Sequence, residues 1–178
     1  LTIKPEYRIC MNVMDMQQPN LVLRCRVPKA QLTILEMNLL NLNNWPMWNK
    51  YASRILSEKQ GQLSVNQRFD LHRIIAQQLI EDMWLVRCVK QGKNPKFCQL
   101  ILEWQGQTIN GRVSALAIKE LIVDITILHE LEEGVEVTAW WKVTRLSSAL
   151  GFGSRLSRKI VQQIFDDLTK YGISRFEE

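Results

Sequence analysis

An α+β fold is predicted, a curved antiparallel β-sheet wrapped around a long C-terminal α-helix. Three observations in the last third of the chain predict it. Val135, Val137, Ala139, Trp141 and Val143 share one parity, while Glu136, Thr138, Trp140, Lys142 and Thr144 share the other. A period of two is the mark of a strand with one buried face. Leu121, Val123, Ile125 and Ile127 show the same apolar parity one strand earlier, and Glu132-Glu133-Gly134 between the runs predicts a hairpin. After Ser154 the period lengthens. Leu156, Ile160, Val161, Ile164, Leu168 and Tyr171 fall at helical spacing, and Gly172 stands where a helix would stop.

The earlier elements follow in order. Residues 1–19 are Met-rich and weakly patterned, and are read as an arm or an added strand before a single domain over 20–178. Leu21, Leu23, Cys25 and Val27 alternate with Val22, Arg24 and Arg26, which predicts a strand. Pro28 ends it and suits the first turn of a helix carried by Leu32, Leu35, Leu39 and Leu42. Asn41, Asn43 and Asn44 break that helix. Residues 46–90 are read two ways. Met47, Trp48, Tyr51, Ala52, Ile55 and Leu56 fit a helix from Pro46 to Gly61, or a short helix running into a strand near Ser53. Residues 67–75 alternate in part, yet Leu71, Ile75, Leu79 and Met83 permit a helix with Ser64 and Gln67 as its capping box. Strands are predicted over 83–90 and 97–104, joined by a turn at Gly92-Lys93-Asn94-Pro95, with a loop over 106–111.

Composition bounds the function. A chain of 178 residues with 46% apolar and 23% charged residues is long enough to bury a substantial core. No apolar run approaches the roughly 20 residues that span a bilayer. Net charge is +5, with Arg155, Arg158, Lys159 and nearby Arg145 the densest basic group, read as a solvated helix face. No nucleic-acid-binding signature appears, and no nucleic-acid partner is expected. Cys10, Cys25, Cys88 and Cys98 form no C-x-x-C pair. They are read as buried free thiols of a reducing, cytoplasmic compartment, with no metal site and no cofactor.

The order strand, helix, short helix, long antiparallel meander and final helix resembles the START-like, polyketide-cyclase-like superfamily with the helix-grip fold. Three stretches carry the likeness. The first is Leu42-Asn43-Asn44-Trp45-Pro46-Met47-Trp48-Asn49 with Gly61-Gln62-Leu63-Ser64-Val65-Asn66-Gln67-Arg68-Phe69. The second is Leu102-Glu103-Trp104-Gln105-Gly106-Gln107, and the third is Gly134-Val135-Glu136-Val137-Thr138 before the final helix. Asn66 stands where the pattern often has Gly. The resemblance implies a cavity between sheet and last helix that takes a lipid, sterol, polyketide or other apolar small molecule. The lining expected for it is Trp48, Trp104, Ile125, Val137, Ala139, Trp141, Val161 and Phe165. A transient membrane-surface contact is compatible with such a ligand.

A second class stays open. Gly151-Phe152-Gly153-Ser154 follows a strand and precedes a helix, and Val143 stands eight residues before Gly151. This resembles the pyrophosphate loop of acyl-coenzyme A-dependent GNAT N-acyltransferases, which holds coenzyme A on backbone N–H groups. Ser148 stands where that motif usually has Arg or Gln. Within the helix-grip reading, an enzyme would need a positioned acid or base, and His72, His129, Asp70 and Glu103 are the candidates. Isolated titratable residues in strands are more often structural, so no catalytic residue is assigned.

Overall fold

The computed structural model describes residues 18–129 and 134–174, with side chains described as far as 170. The predicted arm over 1–19 lies almost wholly outside the described residues. Among the described residues, eight strands form one antiparallel sheet: β1 (Leu21–Arg26), β2 (Ala52–Ser57), β3 (Arg68–Ile75), β4 (Gln78–Lys93), β5 (Lys96–Ile109), β6 (Arg112–Ser114), β7 (Ile118–Leu128) and β8 (Gly134–Val143). Their order is β1-β8-β7-β5-β4-β3-β2, with β6 on the end of β5. Four α-helices accompany the sheet: α1 (Lys29–Leu40), α2 (Trp45–Trp48), α3 (Arg145–Leu150) and α4 (Phe152–Ser174). The long α4 lies across the concave face against β7, β8 and β1, and meets α1 and α2. This is the helix-grip architecture.

Register explains which side chains reach the concave face. Leu121 pairs with Trp141, Val123 with Ala139, and Ile125 with Val137. On the next ladder Leu102 pairs with Val123 and Leu100 with Ile125. Period-two alternation therefore stacks one apolar row per strand over the helix. From α4, Ile160, Val161, Ile164 and Leu168 close onto these rows, at 7%, 0%, 6% and 0% exposure. The spacing of these residues puts them on one stripe, as the sequence predicts.

The Trp-rich turn has a structural task. A helix leaves its last carbonyls without intrahelical partners. The indole Nε1 of Trp45 donates to Leu39 O at 2.9 Å, and that of Trp48 donates to Asn38 O at 3.1 Å. The two rings sit 4.9 Å apart, and Trp45 meets Phe69 of β3 edge-on at 5.0 Å. The end of α1 is thus capped by aromatic side chains that also fill the core.

Several expectations are corrected. Of the two readings of 46–90, the short helix running into a strand is the right one, and the rest of the region is β3 and β4. The Ser64/Gln67 pairing does form: Gln67 Oε1 accepts from Ser64 N at 3.0 Å. It closes a turn into β3 rather than a helix, because Phe69, Leu71 and Arg73 alternate inward with period two. Strands β4 and β5 outrun their predicted ends on both sides, since the 106–111 loop is itself a hairpin of β5 and β6. The α3 helix was not anticipated. Thr144 caps it by accepting from Ser147 N at 3.3 Å, and Gly151 ends it in the left-handed region at φ 69°. Gly172 does not stop the last helix, which continues to Ser174. Among the cysteines, Cys25 and Cys98 are free but Cys88 is disulfide-bonded. The reading of four free thiols is wrong, and its support for a reducing compartment goes with it.

Candidate functional site

The eight residues expected to line a cavity all belong to the main apolar core or pack against it. Trp48, Trp104, Ile125, Val137, Ala139 and Val161 are buried in a single apolar cluster between the sheet and the helices, with Trp141 and Phe165 partly buried at its edge. Trp140, of opposite parity, points to the other face and packs with Cys88 and Ile101. The concave layer is aromatic at the β3–β4–β5 end, where Phe69 pairs with Trp84 and Trp84 with Trp104.

Sequence reasoning missed the polar group set into this wall. Arg73 follows Phe69 and Leu71 on the inward parity of β3. Its Nη2 donates to Oδ2 of Asp82, which is 1% exposed on β4. The other carboxylate oxygen, Oδ1, accepts from Gln107 Nε2 at 2.7 Å and more weakly from Trp104 Nε1 at 3.4 Å. Ser114 Oγ donates in turn to Gln107 Oε1 at 2.9 Å. From the helix side comes Asp167, also 1% exposed, which accepts from Lys50 N at 3.2 Å and Gln163 Nε2 at 2.7 Å. Burial pushes the Asp167 carboxyl above its ordinary pKa, and its hydrogen bonds and the Arg73 charge only partly offset this. The signal available in the sequence was a charge on an otherwise apolar parity, which is costly unless the charge is paired or used.

Hydrogen-bonding capacity remains unspent around this group. Arg73 Nε, Trp84 Nε1 and Asn49 Oδ1 are buried without a hydrogen-bond partner among the described residues. Asn49 precedes Lys50, whose N–H holds Asp167, and its carbonyl accepts from the N–H of Ala52, the partner of Arg73 across β2 and β3. With Gln99 Oε1, two donors and two acceptors are therefore buried and unpaired among the described residues, Arg73 Nε and Trp84 Nε1 lying on the inward parity of β3 and β4. Native interiors leave few such atoms unpaired, and each calls for an explanation.

The acid–base candidates do not assemble. His72 approaches Glu81 at 3.5 Å on the outward parity of β3, shared with Asp70. His129 Nε2 lies 2.8 Å from Glu36 of α1. Glu103 pairs with Arg87 on the outer face. Cys98 is fully buried, and burial together with the Glu36 charge pushes its thiol far up, so it is no nucleophile at neutral pH.

Two other features resemble sites and are explained by the chain itself. An open groove of about 670 Å³ lies where β2 leads into β3, between Leu56, Lys59, Val65 and Phe69. Its buried polar group is Gln67, and that side chain is spent: Nε2 donates to Ser57 Oγ at 3.0 Å and to Lys59 O at 2.8 Å. In the Gly151-Phe152-Gly153 segment, a Cβ on Gly153 would stand 2.6 Å from both Ser147 Oγ and Val143 Cγ1 and 2.9 Å from Ala117 O. That glycine is required by close packing, and Gly151 by the left-handed end of α3. Neither needs a phosphate to account for it.

The fold and the concave face define a protein of the helix-grip α+β class. No family model matches the sequence, and no curated protein does. Solved structures do. A hypothetical protein of Helicobacter pylori, jhp0584, superposes with a TM-score of 0.58 at 14% identity, over 85% of this chain and 86% of that one. Ara h 8.0201 superposes at 0.59 with 10% identity, over 87% and 96%. TTHA0849 from Thermus thermophilus gives 0.52 at 10% identity, over 87% and 93%. At such identities the likeness is one of fold.

Proposed function

We propose that this chain is a START-like binding protein that takes a hydrophobic small molecule between its concave sheet and α4. The observation that carries the reading is that three of the four buried polar atoms without a partner among the described residues, Arg73 Nε, Trp84 Nε1 and Asn49 Oδ1, lie on or next to the elements that enclose the tryptophan-rich core, the fourth being Gln99 Oε1. Small-molecule sites combine a mostly apolar lining with a few placed polar groups. The charges narrow the ligand class. Arg73 is already paired with Asp82, and Asp167 adds a second carboxylate close enough to feel it. An anionic head would meet these carboxylates, so a neutral hydroxyl or carbonyl suits the donors better. A sterol or polyketide-like molecule, apolar with a hydroxyl, offers both an acceptor for Arg73 or Trp84 and a donor for Asn49.

The test is a panel of fatty acids, sterols and aromatic polyketides, read by tryptophan emission and by melting temperature. Binding to the folded state alone raises the melting temperature with ligand concentration. Sterols or hydroxylated polyketides should bind better than fatty acid anions. Trp141→Ala should weaken the response, and Trp140→Ala should not. A panel without any saturable signal, with acetyl-coenzyme A giving one, would replace this reading with the acyltransferase.

A further inference from the structure

A surface at the opposite end of α4 from Asp167 carries four large apolar side chains in the open. Leu146 is 78% exposed and Leu150 59% on α3, Phe152 is 62% at the start of α4, and Leu116 is 74% in the turn before β7. These are not scattered. The 115–118 turn is bound to the start of α3, where Thr144 N donates to Ala117 O at 2.9 Å and Ser147 Oγ donates to the same oxygen at 3.1 Å. Gly151 N then returns to Ser148 O at 3.3 Å, which folds α3 tightly back toward α4. The chain thus gathers Leu116, Leu146, Leu150 and Phe152 at one corner, on two adjoining reversals. Large apolar side chains left exposed on neighbouring segments mark a candidate interaction surface.

The charges around the corner say what covers it. Between Thr144 and Phe165 the sequence has Arg145, Arg155, Arg158 and Lys159, and no Asp or Glu. All four are exposed, and none forms an ion pair among the described residues. Helical geometry adds the spacing. With 100° per residue, Phe152, Arg155 and Lys159 share one exposed stripe of α4, so cations follow the aromatic tip one and two turns along the helix. An apolar tip with a cationic collar behind it matches the layering of an anionic bilayer, where acyl chains lie below a plane of phosphates.

We infer that the α3–α4 corner docks on an anionic phospholipid surface, with Leu146, Leu150 and Phe152 entering the acyl boundary, Arg155 and Lys159 of the same stripe meeting the phosphates, and Arg158 adding positive charge from the flank of α4. The inference stands whatever the concave face holds. It also explains why the corner keeps leucine and phenylalanine where solvent would favour polar residues.

The experiment is co-sedimentation of the protein with vesicles of phosphatidylcholine alone and of phosphatidylcholine mixed with phosphatidylglycerol. Wild-type protein should bind the mixed vesicles and bind the neutral ones weakly, with affinity falling as salt rises. The combined variant Arg155→Gln, Arg158→Gln, Lys159→Gln should lose about a hundredfold in affinity for the mixed vesicles. The variant Leu146→Ser, Leu150→Ser, Phe152→Ser should lose a similar factor and should lose the residual neutral-vesicle binding too. All six side chains are exposed, so both variants should keep the wild-type circular dichroism spectrum and melting temperature. Absence of binding to mixed vesicles overturns the inference, and so does binding that survives either variant. If vesicles are ignored while the protein self-associates in a way the apolar variant abolishes, the corner is an interface between protein copies and the lipid assignment is wrong.

Discussion

Arg73 and Asp82 form an ion pair across β3 and β4 inside the apolar grip, two positions apart on the same face. The directly opposed pairs are Arg73 with Ile80 and Leu71 with Asp82. The pair is the polar hub of an interior that is otherwise aromatic and aliphatic. Its members hold different positions: Asp82 is fully engaged by Arg73, Gln107 and Trp104, whereas Arg73 keeps an unspent Nε.

Removing one partner should therefore be far worse than removing both. Asp82→Asn leaves a buried guanidinium without its counter-charge, a loss of about 3–5 kcal/mol. The double variant Arg73→Leu, Asp82→Leu should cost less than the single one, because neither member of the pair is left buried without the other. Urea melts of the three proteins decide it, and a double variant as damaged as Asp82→Asn would show that the pair itself holds the fold.

Ile164 is 6% exposed on the buried stripe of α4, facing the concave rows. Ile164→Ala should cost about 2–5 kcal/mol in denaturant melts. A loss below ~0.5 kcal/mol would mean that the residue faces open space rather than packed neighbours.

Asp167 gives a pH dependence with a definite sign. Burial raises its folded pKa above the unfolded value, so the fold prefers the protonated carboxyl. Its contribution is most favourable below the unfolded pKa and is lost as pH rises through the folded one. Asp167→Asn, permanently neutral, should gain on wild type at neutral pH. That advantage should shrink as pH falls from about 7 to about 4. An advantage that stays constant over this window would show that Asp167 does not titrate differently in the folded chain.

Gly153→Ala separates the two explanations of the Gly151-Phe152-Gly153 segment. The added methyl would collide with Ser147 Oγ, Val143 Cγ1 and the Ala117 carbonyl, so stability should fall by about 1–3 kcal/mol. A variant as stable as wild type that loses binding of acetyl-coenzyme A would restore the phosphate-loop reading.

The fold was legible where periodicity was long. Ten residues of β8 and the full stripe of α4 carry enough repeats to fix both type and inward face, so Val137, Ala139, Trp141, Val161 and Ile164 were placed correctly. Residues 46–90 were ambiguous because Met47 to Leu56 satisfies a helical stripe by coincidence, while tertiary pairing of β2 with β3 decides the outcome. The α3 helix of six residues is too short to show a period at all. The polar hub was invisible for a different reason. Arg73 and Asp82 stand on neighbouring strands, but Gln107 and Asp167 lie well beyond them in sequence, and only strand register and the docking of α4 bring the four together.

The placement of β1 carries a consequence for how the chain is made. Leu21 sits beside Ala139 and Cys25 beside Val135, so the first strand among the described residues has its partner more than a hundred residues later. A nascent chain emerging from the ribosome has β1 exposed, with both edges bare, throughout the synthesis of the six strands that follow. The hairpins from β2 to β5 can zip as they appear, but β1 and the groove under α4 close only once β8 and α4 have emerged. Such distant pairings slow the final step of folding. They also leave an apolar edge open to chaperones, or to a neighbouring nascent copy, until β8 arrives.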